Sequence, residues 1–266
     1  MTALVLAVCN QKGGVGKTTT TFHLARAAIT DGLRVLVVDA DPQGDLTSVT
    51  VGEDSLIEGQ VGLADVLSDR SDEHIRDVIV PGIWPGLDVV PTTGDALEGV
   101  NNELVIAGAG REQRLHTALA DVIDDYDVVL IDCPPALNPL TINALTAARG
   151  AVVVTESRLF ATNGLSRLLH TIDTVQTSYN QDLAIAGILI NEHKQRTISG
   201  RTWKKEVDAV MADRQLPILD PPIPDRVAIT DAEEASCGLD EWAGRDGQDL
   251  ADLYTAHLHT IQGGLS

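Results

Sequence analysis

The stretch CNQKGGVGKTTTT, Cys9 to Thr21, decides the fold. It follows an apolar run, ALVLAVC (3 to 9), and leads into a stretch over 17 to 30 that reads as a helix. A strand, a Gly-rich loop and a helix in that order make a phosphate-binding loop. Gly13, Gly14 and Gly16 carry no side chain, so backbone N–H groups can curl around phosphate oxygens, and the helix N-terminus adds partial positive charge. In the usual pattern G-x-x-x-x-G-K-[ST], Gly16-Lys17-Thr18 fits, but Gln11 stands where the first glycine belongs. A second lysine, Lys12, instead precedes the paired glycines. The pattern assigns Lys17 to the β and γ phosphates and the Thr18 hydroxyl to Mg²⁺.

Working outward, strand-length apolar runs alternate with longer amphipathic stretches. Strands are expected at 3 to 9, 34 to 40, 87 to 91, 127 to 133, 151 to 155 and 183 to 191. Helices are expected at 17 to 30, 111 to 124, 138 to 149, 160 to 179 and 246 to 261. This alternation predicts an α/β fold, a mainly parallel twisted sheet with helices on both faces. The Asp-rich segment 65 to 77 and the Pro-rich segment 217 to 224 read as loops or short helices within it. The length and the 44% apolar content suit one domain over 1 to 266.

Two further motifs end strands. VVLIDCPP places Asp132 at the end of an apolar run, where a carboxylate meets a metal-bound water. VVDADPQGD places Asp39 and Asp41 two apart, pointing the same way if the strand persists, so that one of them can orient an attacking water. Three cysteines, Cys9, Cys133 and Cys237, without C-x-x-C spacing indicate neither a disulfide framework nor a zinc site. No segment approaches the ~20 apolar residues that span a bilayer, and no signal peptide opens the chain, so a cytoplasmic protein is expected.

The net charge is −20, with 27 Asp and 12 Glu against 5 Lys and 14 Arg. Such a surface reads either as adapted to a halophilic cytoplasm or as an acidic, Arg-preferring chain from a GC-rich genome. Lysine is concentrated: Lys12 and Lys17 lie in the loop, and Lys194, Lys204 and Lys205 cluster with Arg196 and Arg201. That second cluster reads either as a solvated helix face or as a surface that meets phosphates.

Lys12-Gly-Gly-Val-Gly-Lys-Thr18, Asp39-Ala-Asp-Pro-Gln-Gly44 and Ile131-Asp-Cys-Pro-Pro135 followed by Leu140-Thr-Ile-Asn-Ala144 resemble the ParA-type (Soj-like) partition ATPases of the deviant Walker-A class, which also holds MinD. The likeness covers about residues 3 to 235. It implies an ATPase forming an ATP-sandwich dimer, in which Lys12 reaches across to the partner's phosphates as a cation supplied in trans. Gly13, Gly14, Val15, Gly16, Lys17, Thr18 and Thr19 would bind the nucleotide, with Asn191 and the backbone near Pro224 to Arg226 at the adenine. Asp41 would orient the water and is a further candidate for the metal, and Asp132 would hold Mg²⁺ through its water shell. The resemblance further implies non-specific DNA binding on the nucleoid, with Lys194, Arg196, Arg201, Lys204 and Lys205 as the candidate surface that an ATP dimer would double, release on hydrolysis stimulated by a ParB-like centromere-binding protein, no membrane, and no N-terminal DNA-reading domain.

Three readings compete. An iron-sulfur reductase of the nitrogenase type would need a suitable pair of cluster cysteines, whereas Cys133 sits inside the strand-end motif and no second cysteine lies in the 100 residues that follow it. A MinD-like membrane positioner would need a basic amphipathic C-terminal helix, whereas LADLYTAHLHTIQGGLS contains no Lys or Arg. A positioner of another cargo uses the same chemistry and stays open.

Overall fold

The computed structural model describes residues 3–52, 56, 59–156, 163–193, 202, 205, 211–212, 214–242 and 244–265. Its centre is an eight-stranded sheet. In chain order the strands are β1 (Leu4–Cys9), β2 (Val35–Asp39), β3 (Val80–Pro81), β4 (Leu87–Val90), β5 (Val128–Asp132), β6 (Gly150–Glu156), β7 (Ala184–Asn191) and β8 (Ile218–Leu219). They lie in the order β3-β4-β2-β5-β1-β6-β7-β8, all parallel except the antiparallel edge pair β3–β4. The expected mainly parallel sheet is thus observed.

The strands are apolar throughout because both sheet faces are covered. Alternate residues of β1 serve different layers. Val5, Ala7 and Cys9 face a core with Leu97, Leu104, Leu115, Leu140, Leu168 and Ile172. Leu6 and Val8 face the opposite core, with Phe22, Leu24, Leu46, Tyr254, Leu258 and Ile261. The second core lies under helix α1 (Lys17–Thr30) and the C-terminal helix (Arg245–Leu265). Arg26 on α1 ties that side down, donating from Nε and Nη2 to Asp240 at 2.8 and 2.6 Å while its guanidinium lies over Trp84.

Several elements depart from expectation. The expected helix 111 to 124 is broken into a 3₁₀ turn at Arg111–Gln113, an α-helix at Arg114–Leu119 and a second 3₁₀ turn at Ile123–Asp125. Asp121, Asp124 and Asp125 sit at what would be its C-terminal end, where negative charge opposes the helix dipole. The Asp-rich segment does hold two short helices, Leu63–Leu67 and Ile75–Val78. The Pro-rich segment carries the short strand β8 instead of a loop or helix, its Ile218 and Leu219 pairing with Ile188 and Leu189 of β7. The helix Ala96–Ile106 was not expected, because Gly99, Asn101 and Asn102 are poor helix formers. Packing makes it: Leu97, Val100 and Leu104 recur on one buried face. The helix Val227–Glu234 is likewise an addition.

Candidate nucleotide site

β1 sits between β5 and β6, so the loop that follows it emerges in the crevice at the carboxyl ends of the central strands. That crevice is where open α/β sheets hold ligands. Gly14 and Gly16 take left-handed φ of 71° and 84°, the second as the residue that starts α1. A Cβ on Gly16 would also lie 2.1 Å from Asn191 Nδ2. Glycine is therefore required there twice over.

Three side chains secure the loop to neighbouring strand ends. Asn10 Nδ2 donates to the Val154 carbonyl at 2.6 Å, and Asn10 Oδ1 accepts from Lys12 N at 3.0 Å. Asn191, the last residue of β7, donates from Nδ2 to the Val15 carbonyl at 3.0 Å. Lys12 Nζ meets Glu156 Oε1, at the end of β6, at 2.9 Å. Asn10 was missed in the sequence, although an Asn two residues before a loop amide is an Asx-turn signal. Glu156 has no sequence signal at all, since its contact spans 144 positions.

Lys17 is buried at the first position of α1. Next to it, Thr18 Oγ1 donates to Asp132 Oδ2 at 2.7 Å, and Thr21, one helical turn on, donates to Asp132 Oδ1 at 3.3 Å. Burial pushes the Asp132 carboxyl well above its ordinary value, and the neighbouring Asp39 charge adds to the rise. Asp41 is raised too, first by burial, with Lys17 pulling the other way. Crowded carboxylates beside a hydroxyl are hard oxygen donors that a divalent cation would relieve. Mg²⁺ keeps several of its own waters and needs few protein ligands, so Thr18, Asp132 and Asp41 fit that ion.

β2 ends at Asp39, so the strand does not persist to Asp41. Asp39 is fully buried and committed: Oδ2 accepts from Thr47 N at 2.8 Å and Thr47 Oγ1 at 2.7 Å, and Oδ1 accepts from Asp41 N at 3.2 Å. Burial lifts its carboxyl to about 7. Asp41 spends one oxygen on Gln43 N at 3.1 Å.

At the other rim, Ile223 N donates to the Ile190 carbonyl and His193 N to the Ile223 carbonyl, both at 2.9 Å, so Pro224 lies beside the end of β7 near Asn191. Arg226 is exposed at the start of Val227–Glu234. Of the candidate DNA residues, Lys194, Arg196, Arg201 and Lys204 lie outside the described residues, and Lys205 is exposed.

Residues 3–185 match the protein-family model described as an AAA domain. The chain is 40% identical over 231 residues to the chromosome partitioning protein ParA of Caulobacter vibrioides, covering 86% of this chain and 83% of that one. This chain belongs to the ParA/Soj family of partition ATPases. It is 42% identical over 210 residues to the sporulation initiation inhibitor protein Soj of Bacillus subtilis, with 79% and 81% covered. Among solved structures it is similar to a Mycobacterium smegmatis protein described as cobyrinic acid a,c-diamide synthase with bound ADP and magnesium. That match has 39% identity, a TM-score of 0.75, and coverage of 88% and 93%.

Proposed function

We infer that this ParA-family ATPase binds ATP and Mg²⁺ in the crevice above β1 and β5, and assembles as an ATP-sandwich dimer that holds DNA without sequence preference. The observation that carries the reading is the convergence of Lys17, Thr18 and Asp132 under a glycine loop whose extra cation, Lys12, sits at the rim, half exposed. Lys17 would hold the phosphates, and Thr18 with water-linked Asp132 would hold Mg²⁺, which supplies a counter-charge for the transferring phosphoryl group. Asp41, with an oxygen not committed to Gln43, would orient the attacking water. Asn191 and the backbone at Pro224 to Arg226 would meet the adenine. Lys12 of one subunit would reach the other subunit's phosphates.

Cargo release would follow hydrolysis stimulated by a ParB-like partner, on the nucleoid of the cell. A membrane positioner is disfavoured by a specific observation. The apolar face of the C-terminal helix, Leu250, Tyr254, Leu258 and Ile261, is spent in the core against α1 and is not available to lipid. No helix among the described residues is long and apolar enough to cross a membrane.

The test is ATP-dependent retention of non-specific duplex DNA. It is expected with ATP and Mg²⁺, absent with ADP, and lost in Arg196→Glu/Lys204→Glu while nucleotide binding and dimerisation persist. A double variant that still retains DNA would move the DNA surface elsewhere. The net charge of −20 supports a salt-adapted host; a melting temperature that fails to rise with KCl would remove that part of the reading.

A further inference from the structure

Lys12 has a partner in its own subunit. Its ammonium pairs at 2.9 Å with Glu156, whose side chain is 21% exposed against 48% for the lysine. The backbone under it is fixed, since Asn10 accepts from Lys12 N and donates to Val154, two residues before Glu156 on the same strand. Glu156 is itself set by register, paired with Asn191 across β6–β7, and Asn191 grips Val15. The strand ends and the loop thus form one unit, and within it the Lys12–Glu156 contact alone joins two partly exposed charged ends. Such a pair is weak enough to open and strong enough to bias where a flexible lysine points.

We propose that Glu156 is a positioning residue for Lys12: it parks the lysine in cis in the single subunit, and the lysine leaves it for the partner's phosphates only when the sandwich closes. This deepens the sandwich-dimer reading above and rests on it. No bond is made or broken; one carboxylate partner is exchanged for a phosphate partner. Because each dimer opens two such pairs, the bias enters the dimerisation constant twice. A factor of about two to three per exposed pair becomes about four- to ninefold in dimer dissociation. Salt screens a half-exposed pair, so the bias fades as ionic strength rises.

The experiment uses the full chain carrying Asp41→Ala, in which ATP is held without turnover, alone and with Glu156→Gln or Glu156→Asp. Dimer dissociation is measured by sedimentation with ATP and Mg²⁺ at 0.1 M and 1 M KCl. Glu156→Gln is expected to tighten the dimer about four- to ninefold at 0.1 M and less than twofold at 1 M. Glu156→Asp should stay near the parent. A tightening that is absent, or that persists undiminished at 1 M KCl, overturns the proposal.

A second readout needs no dimer: the rate at which acetic anhydride modifies Lys12 in nucleotide-free protein, followed by mass spectrometry. Parking predicts a severalfold faster rate in Glu156→Gln. An unchanged rate beside a normal ATP dimer overturns the parking role and leaves the sandwich reading standing. A faster rate in a protein whose Asp41→Ala form stays monomeric with ATP overturns the sandwich reading and, with it, the purpose assigned to Glu156.

Discussion

Thr18 Oγ1 donates to Asp132 Oδ2 at 2.7 Å, joining the first turn of α1 to the end of β5. The bond aligns a hydroxyl and a carboxylate over the loop, yet burial and the nearby Asp39 disfavour the charge on Asp132. Asp132→Asn keeps an acceptor for Thr18 and removes that charge. The expected result is unchanged or slightly raised melting temperature without nucleotide, and Mg²⁺-dependent hydrolysis reduced about 10- to 100-fold, the usual cost of losing a water-linked partner of a metal. A steady-state assay across Mg²⁺ concentrations checks it; full activity at ordinary Mg²⁺ would remove Asp132 from the metal site.

Two glycines of the loop should behave oppositely. A Cβ on Gly13 meets only Pro135 Cβ within 4 Å, at an ordinary 3.7 Å. Gly13→Val is therefore tolerated within one subunit, and is expected to bind ATP normally while failing to dimerise, because the proposed sandwich would bring two such loops close together. Gly16→Ala combines a left-handed φ with a clash against Asn191. It should cost on the order of 1–2 kcal/mol from backbone conformation alone, break the Asn191–Val15 bond and abolish ATP binding. Calorimetric ATP titration and light scattering separate the two outcomes.

His23 gives the fold a pH dependence of definite sign. Its Nε2–H donates to the Ile229 carbonyl at 3.1 Å, and its ring packs against Phe22 and against Tyr254, buried and neutral. Burial lowers its pKa from 6.5 to about 4, against the opposing pull of the Ile229 carbonyl and the Asp240 charge. The unfolded chain takes up this proton first as pH falls. The stability contributed by His23 is thus complete above about 6.5 and is lost progressively down to about 4, amounting to about 3 kcal/mol. His23→Gln can still donate to Ile229 and does not titrate. Urea midpoints measured from pH 4 to 7 should fall less steeply in this variant than in the parent; parallel curves would assign the acid limb to other groups.

The phosphate loop was legible because its chemistry is local: glycines, Lys17 and Thr18 sit within six residues of one another between a strand and a helix. Asp132 was legible for the same reason, ending an apolar run. What the sequence hid is what only the fold brings together. Asn10 reaches Val154, Lys12 reaches Glu156 and Asn191 reaches Val15 across 144 or more positions. The orientation of the aspartate pair depended on whether β2 persists, which only the fold decides: the strand ends at Asp39, and Thr47 captures that carboxylate. Helix Ala96–Ile106 was invisible to propensity because burial of Leu97 and Leu104, not its Gly and Asn residues, holds it.

The central claim is that Lys12 acts on the other subunit's nucleotide. Lys12→Ala should bind ATP and lose hydrolysis by ~10³-fold or more, and Asp41→Ala should be equally silent while forming a stable ATP dimer. Mixing the two inactive variants decides the matter. In a mixed dimer the Lys12→Ala subunit keeps its own Asp41 and receives Lys12 from its partner, so one site of two is complete. Equal mixtures that pair at random should recover about a quarter of wild-type hydrolysis, as expected for a cation supplied in trans. A mixture that stays as inactive as its components would show Lys12 serving its own site, and would contradict the account.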